Sequence, residues 1–396
     1  MRWLTINLIL DSLVYYTALY MKLFSKILLI LPLLFFAVPF FPASAQELHS
    51  NYQGTYHGKV IEVLYEDIRE IPGTDTEHLY QTITAKILDG PNEGDLVTIE
   101  NDYLELDKGD KFYFNHNVYI DGSESYGIIN IDRKGALLFL FLIFVGTIVL
   151  FGRWQGVRAL IALAVSFLAI IFILLPGILN GWNPLFASFM VAGGILFAAI
   201  FFTHGFNRES LVAYSGTMIA VLLTSFFAVF AVHITDLSGF SSDETIYLNF
   251  NTNGALNFTA LLLGAFIIGF LGVLDDIAVT QAAVVSELFN SNPNMSRLEV
   301  YNRAMRVGRE HVGALVNTLV LAYTGVSLPL LLYFNLGPSN FATSINLEIF
   351  ATEIVRIIVG SVGLVLTVPI VTFFAVRYLK GYTPKHGHSH SHGHHH

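Results

Sequence analysis

Asp275 and Asp276 stand side by side in the run GALNFTALLLGAFIIGFLGVLDDIAVTQAAVVSELF, which begins at Gly254. No acid or base precedes them in that run, and apolar character resumes beyond them instead of giving way to a loop. Carboxylates inside an apolar stretch are expensive in lipid, so a pair of them asks for a function such as an ion or proton path. If the segment from Asp275 to Phe289 is helical, Asp276, Thr280, Ala283 and Glu287 fall on one face. Gln281 then lies at the edge of that stripe, about 100° round from Thr280.

A second polar set follows a basic link that holds Arg297, Arg303, Arg306 and Arg309. There EHVGALVN opens with Glu310 and His311, and Asn317 and Thr318 come one to two turns later. Carboxylate, amide and hydroxyl oxygens suit hard cations, whereas imidazole suits transition metals such as zinc, cobalt or manganese. The candidate path is therefore Asp275, Asp276, Thr280, Gln281, Glu287, Glu310, His311 and Asn317, with Asp275, Asp276, Glu310 and His311 as candidate metal ligands. The plainer alternative is that Glu310 pairs with Arg306 or Arg309 and that Asp275 caps the inner end of a span. The tail HGHSHSHGHHH adds His386, His388, His390 and His392 as weak, unstructured metal binders.

Geometry constrains the aspartates further. A single helix from Gly254 to Phe289 would be about 54 Å long, against a hydrocarbon core of about 30 Å. Either the span ends near Leu274 and the rest lies on the inner surface, or the chain breaks or re-enters near Gly272–Asp276.

The elements around these residues are those of a polytopic membrane protein. The chain is 54% hydrophobic and 13% charged, with several apolar runs long enough to cross a bilayer. Seven spans are expected: Ala136–Phe151, Val157–Leu175, Pro184–Phe202, Leu211–His233, Gly254–Leu274, Val312–Phe334 and Ile354–Tyr378. Arginine and lysine fall in alternate links, at Arg153 and Arg158, Arg208, the four-arginine link, and Arg377, Lys380 and Lys385. The other links contain no Lys or Arg, and two of them carry acids, which puts the C-terminus in the cytoplasm and the N-terminal domain outside. From Ala159 to Asn207 there is no Asp, Glu, Lys or Arg, so spans two and three read as scaffold, with Gly193 and Gly194 allowing close approach.

Ahead of the spans, residues 21–45 read as a signal peptide, with Lys22 and Lys26, an apolar stretch, and Ala43-Ser44-Ala45 before Gln46. Residues 1–20 read as an over-called start. Residues 46–132 alternate in the manner of strands at Thr55–Tyr65, His78–Leu88, Asp95–Glu100, Lys111–Ile120 and Tyr126–Ile131. Five short strands suggest a small extracytoplasmic β-barrel of the OB or SH3-like kind, followed by the helical domain 133–380 and the His-rich tail 381–396. His57, His78 and His116 in that domain read as structural or solvated in preference to a metal site.

Several classes are excluded. There is no cysteine, hence no disulfide, thiolate site or cysteine nucleophile. HExxH and P-loop motifs are absent, and the adjacent aspartates lack a second aspartate-bearing span, so no enzyme is expected. Basic residues are too few for a nucleic-acid partner.

The run GFLGVLDDIAVTQAAVVSELF, with YNRAMRVGREHVGALVNTLVLAYTGVSLPLLL after it, resembles the signature region of the YibE/F-like membrane proteins. The layout is similar too, an exported β-rich domain ahead of a multi-span half. The resemblance implies an architecture and a link to transport, without a substrate. The leading expectation is a secondary transporter or channel for a small cation, a divalent metal included, with no bound cofactor. The alternative is a non-transporting scaffold whose barrel binds an envelope partner. Lipid is the certain partner class; an envelope protein and a second copy are the protein partners to consider.

Overall fold

The computed structural model describes residues 52–70, 77–90, 92–102, 104–118, 124–336 and 341–381. The expected start, the signal peptide and the tail histidines His386, His388, His390 and His392 lie outside the described residues. The chain divides into two compact units that part between Phe151 and Gly152.

The first unit holds five antiparallel strands: β1 (Tyr52–Glu70), β2 (Glu77–Ile87), β3 (Leu96–Asn101), β4 (Lys111–Val118) and β5 (Glu124–Ile131), in the order β3-β2-β1-β4-β5. The strands match those expected from alternation, with β1 longer at both ends. Register shifts between Val60 and Glu62 and between Val63 and Tyr65 interrupt β1, which pairs with β4 early and β2 late. Such bulges bend a strand and let a sheet curl. The sheet forms a half-barrel over Val60, Ile83, Ala85, Ile99, Leu106, Phe112 and Phe114. Gln81, buried with them, accepts from Leu106 N at 3.0 Å and donates to Leu106 O at 3.2 Å, which satisfies its amide inside the core.

The helices are α1 (Lys134–Ala169), continued by a π turn at Ile170–Leu174 into α2 (Leu175–Leu179), then α3 (Pro184–His204), α4 (Arg208–Ile234) and α5 (Asp243–Asn251). After these come α6 (Phe258–Ser291), α7 (Arg297–Val326), α8 (Leu328–Leu336), α9 (Phe341–Ile345) and α10 (Glu348–Tyr378). Asparagine starts three of the long ones: Asn183, Asn207 and Asn257 accept from Phe186 N, Ser210 N and Ala260 N, satisfying donors that lipid cannot. Among the described residues, five helices are long and apolar enough to cross a membrane: Lys134–Leu179, α3, α4, α6 and α10. The first two expected spans lie in the single 46-residue element Lys134–Leu179. It is interrupted at Arg153, whose φ of 48° leaves the helical region. The expected sixth span, Val312–Phe334, is divided between the second half of α7 and most of α8, and α7 is not among the five helices apolar enough to cross.

Contacts show that the bundle helices alternate in direction. Gln281 of α6 meets Ala304 of α7 and Thr372 of α10. Farther along, Gly269 of α6 faces Tyr323 of α7, and Gly360 of α10 faces Leu319 of α7. So α7 runs against both α6 and α10. Likewise α4 runs against α6, with Glu209 beside Ser286 at one end and Ser238, just past α4, beside Thr259 at the other.

Small residues bring these helices together. A Cβ on Gly363 of α10 would sit 2.6 Å from Thr224 Oγ1, and one on Gly216 of α4 would sit 2.8 Å from Val371 Cγ2. Close approach of this kind is how helices associate in lipid, where no hydrophobic drive separates protein from solvent. Replacing Gly363 with Ala should therefore cost about 1–3 kcal/mol through overpacking. The expected reading is a lower thermal unfolding midpoint in detergent, largely restored when Thr224→Ala is added; an unchanged midpoint in Gly363→Ala contradicts this packing.

Candidate functional site

Asp275 and Asp276 fall at the middle of α6, which is one uninterrupted helix through Phe258–Ser291. Neither expected geometry is present. The chain does not break near Gly272–Asp276. The second half of α6 does not lie on a surface either, because Ile277, Ala278, Ala282, Val285 and Phe289 are buried among its neighbours. Helix length beyond the bilayer need not leave the bundle. Here the extra turns stay packed, in a second core with Val212, Met295, Val300, Ala304 and Val376.

The aspartates line a cavity of about 560 Å³ between α1, α3 and α6. Its polar side chains are Ser166 of α1, Thr203 and His204 of α3, and Asp275, Asp276 and Thr280 of α6. Its remaining walls are apolar, with Leu163, Phe167, Ile195 and Leu271 among them. The opening follows from the packing. α3 ends at His204 and is capped by Gly205, while α6 continues to Ser291. α1 faces the space with Ala159, Ala162 and Ser166, whose small side chains leave room. Asp276 is exposed at the surface, whereas Asp275 is half-buried, and its Oδ1 is shielded from solvent with no hydrogen-bond partner.

The expected stripe is there: Asp276, Ala283 and Glu287 are exposed and Thr280 is half-buried, along the uncovered side of α6. Only Asp275, Asp276 and Thr280 of the expected path reach the cavity. Glu287 lies beyond it on the same face. Gln281 points the other way, buried, with Nε2 donating to Ala304 O at 2.9 Å and to Thr372 Oγ1 at 2.8 Å. The turn of about 100° from Thr280 moves it from the cavity to the junction of three helices.

Glu310, His311 and Asn317 do not join the aspartates. They are exposed on α7, away from the cavity. Nor does Glu310 pair with Arg306 or Arg309; the ion pair on that helix is Arg303 with Glu299 at 2.8 Å. Among the described residues no three His, Asp or Glu side chains form a group able to hold a metal, so the expected ligand set Asp275, Asp276, Glu310 and His311 is not assembled.

Sequence reasoning missed His204, Thr203 and Ser166, because that stretch was read as scaffold from its lack of Asp, Glu, Lys and Arg. The available signal was a Thr-His pair at a helix end, before Gly205, opposite an Ala159, Ala162, Ser166 ridge at helical spacing. Arg356 was missed as well. It pairs with Glu353 at 2.8 Å, sits over the rings of Phe266 and Tyr323, and does not line the cavity.

The half-barrel histidines are structural. His57 lies 2.9 Å from Asp132 and stacks on Tyr113, while His116 stacks on Tyr126. Burial, together with its bond to Glu124, pushes the Tyr126 phenol up to about 12. His78 is exposed on β2 and joins neither.

A family model described as YibE/F-like protein matches residues 140–381, which covers the helical half from within α1 to just past α10. No curated protein and no solved structure matches the chain.

The placement of Gln281 makes a specific prediction. Gln281→Leu removes two buried bonds that join α6 to α7 and α10, leaving the Thr372 hydroxyl only its bond to Val368 O, and should destabilise the bundle by about 1–3 kcal/mol. Thermal unfolding of the purified protein checks this, and a variant as stable as the parent would show that the junction contributes nothing.

Proposed function

The chain is an integral membrane protein of the YibE/F-like family, and from that premise we propose that it is a secondary transporter or channel for a small cation. The path runs through the cavity of Asp275, Asp276, Thr280, Thr203 and His204. The observation that carries this reading is the half-buried Asp275, whose shielded Oδ1 is unpartnered, beside an exposed Asp276 in a cavity with mostly apolar walls. A carboxylate at this depth is costly unless a cation, a proton or water answers it. Two carboxylates, hydroxyls and one imidazole line the same cavity without closing into a three-ligand group. That suits a hydrated or transiently held ion better than a caged one, with divalent metals within the class. The role is not catalytic.

Seven crossings remain the reading of the topology. Lys134–Leu179 supplies two, separated at Arg153, and α7 supplies one beside α6 and α10. Arg158, Arg208, the arginines of early α7 and Arg377 gather at the cavity's end of the bundle, which supports a cytoplasmic mouth and an outside half-barrel. The strand order, with β3 and β5 as the two edges approaching each other, supports an OB-like barrel closing at that seam.

One observation favours the scaffold alternative. Beyond the half-barrel, β1 and β2 continue as a two-stranded ribbon with Leu64 and Ile68 exposed, a surface an envelope partner could cover. Reconstitution separates the two readings. Purified full-length protein in liposomes loaded with ion-sensitive dye should conduct Mn²⁺, Zn²⁺, Mg²⁺ or protons above protein-free vesicles. Asp275→Asn and Asp276→Asn should each lower that flux at least about tenfold, the scale of a lost charge–ion contact. No flux from the parent protein favours the scaffold, and flux unaffected by both substitutions removes the aspartates from the path.

A further inference from the structure

α7 carries a face that nothing in the described chain answers. From Ala304 to Tyr323 one side of α7 lies against α6 and α10. Ala304 meets Gln281, Gly308 faces Gln281 and Val368, Leu319 faces Gly360, and Tyr323 faces Gly269. These partners lie in the interiors of two helices that are long and apolar enough to cross a membrane. The opposite side of α7 therefore lies at the same depth, and it exposes Glu310, Gly313 and Asn317, with Ala314 at its flank. Glu310, His311 and Asn317 have no hydrogen-bond or ion-pair partner among the described residues, and Arg306 and Arg309 are likewise unpaired. Polar side chains at membrane depth turn toward protein or a water-filled space, not toward acyl chains.

We propose that this face of α7 is the contact surface for a second copy of the chain. The apolar start of α1 is a poor cover, since the only polar side chain in residues 135–151 is Thr147, already bonded to Ile143 O at 2.8 Å. A second copy supplies what is missing. Two copies inserted the same way are related by an axis along the membrane normal, so their α7 helices meet in parallel, residues on the contact line face their own counterparts, and each flank faces the other flank of the second copy. Asn317 then meets Asn317 of the second copy, and an amide both donates and accepts, so it satisfies itself. Gly313 and Ala314, one turn earlier, let the two backbones approach. Toward the start of α7, Arg309 and Glu310 sit about 100° apart on the two flanks of the contact line, so across the axis Glu310 of one copy is offered the opposite charge of Arg309 from the other. The proposal is independent of whether the cavity carries ions.

The absence of cysteine makes the test clean, because Asn317→Cys introduces the only thiol in the chain. Full-length Asn317→Cys in phosphatidylethanolamine–phosphatidylglycerol vesicles should convert to a covalent dimer under copper phenanthroline. Phe226→Cys, on the exposed side of α4, should stay monomeric. Single-molecule photobleaching of the cysteine-free protein with one fluorophore per chain should show two steps. Asn317→Leu should shift it toward one step by weakening association about tenfold. Single-step bleaching of the parent protein at every protein density overturns the proposal. So does a two-step protein whose Asn317→Cys variant does not cross-link, since its interface is then elsewhere, and so does equal cross-linking at both cysteines, which is collision.

Discussion

Inside a bilayer a polar group has to be answered by protein or by admitted water, and α6 must do this several times along one helix. Its three solutions differ. Gln281 is answered by protein, its amide held by the Ala304 carbonyl and the Thr372 hydroxyl. Ser286 is answered by a charge, donating to Glu209 at the start of α4. Asp275 is answered by neither, and the structure leaves a cavity in front of it. The same helix thus acts as staple on one side and as a wall of a polar recess on the other. A rotation of about 100° between neighbouring residues decides which.

Packing makes the recess available. Where α4, α6, α7 and α10 meet, Gly216, Gly308, Gly360 and Gly363 admit the neighbouring side chains at close range. Tight packing on that side fixes the orientation of α6. On the other side α3 stops at His204 and α1 offers Ala159 and Ala162, so the helices do not close over the aspartates. The cost of placing two acids there falls on a bundle whose stability is built on the opposite face.

Much of this was legible from residue order. Alternation located all five strands, and the uncovered polar side of α6 follows from helical spacing of Asp276, Thr280 and Glu287. Three things were not legible, each for a physical reason. The continuity of α6 was hidden because bilayer thickness limits only what lies in lipid, and the last turns of α6 are buried by protein. The separation of Glu310, His311 and Asn317 from the aspartates was hidden because sequence shows which residues share a face but not which neighbour that face meets. His204 was hidden because a count of formal charges passes over a neutral imidazole.

Whether water reaches the recess is the point on which the proposed path turns. The most direct measurement uses a chain whose only thiol is placed at Thr280, half-buried beside Asp276. In sealed vesicles, a membrane-impermeant charged thiol reagent should modify Thr280→Cys rapidly from one side, and an excess of the transported cation should slow it. Modification by lipid-soluble reagents alone, with the charged reagent inert from both sides, would contradict a watery path at Asp275 and Asp276.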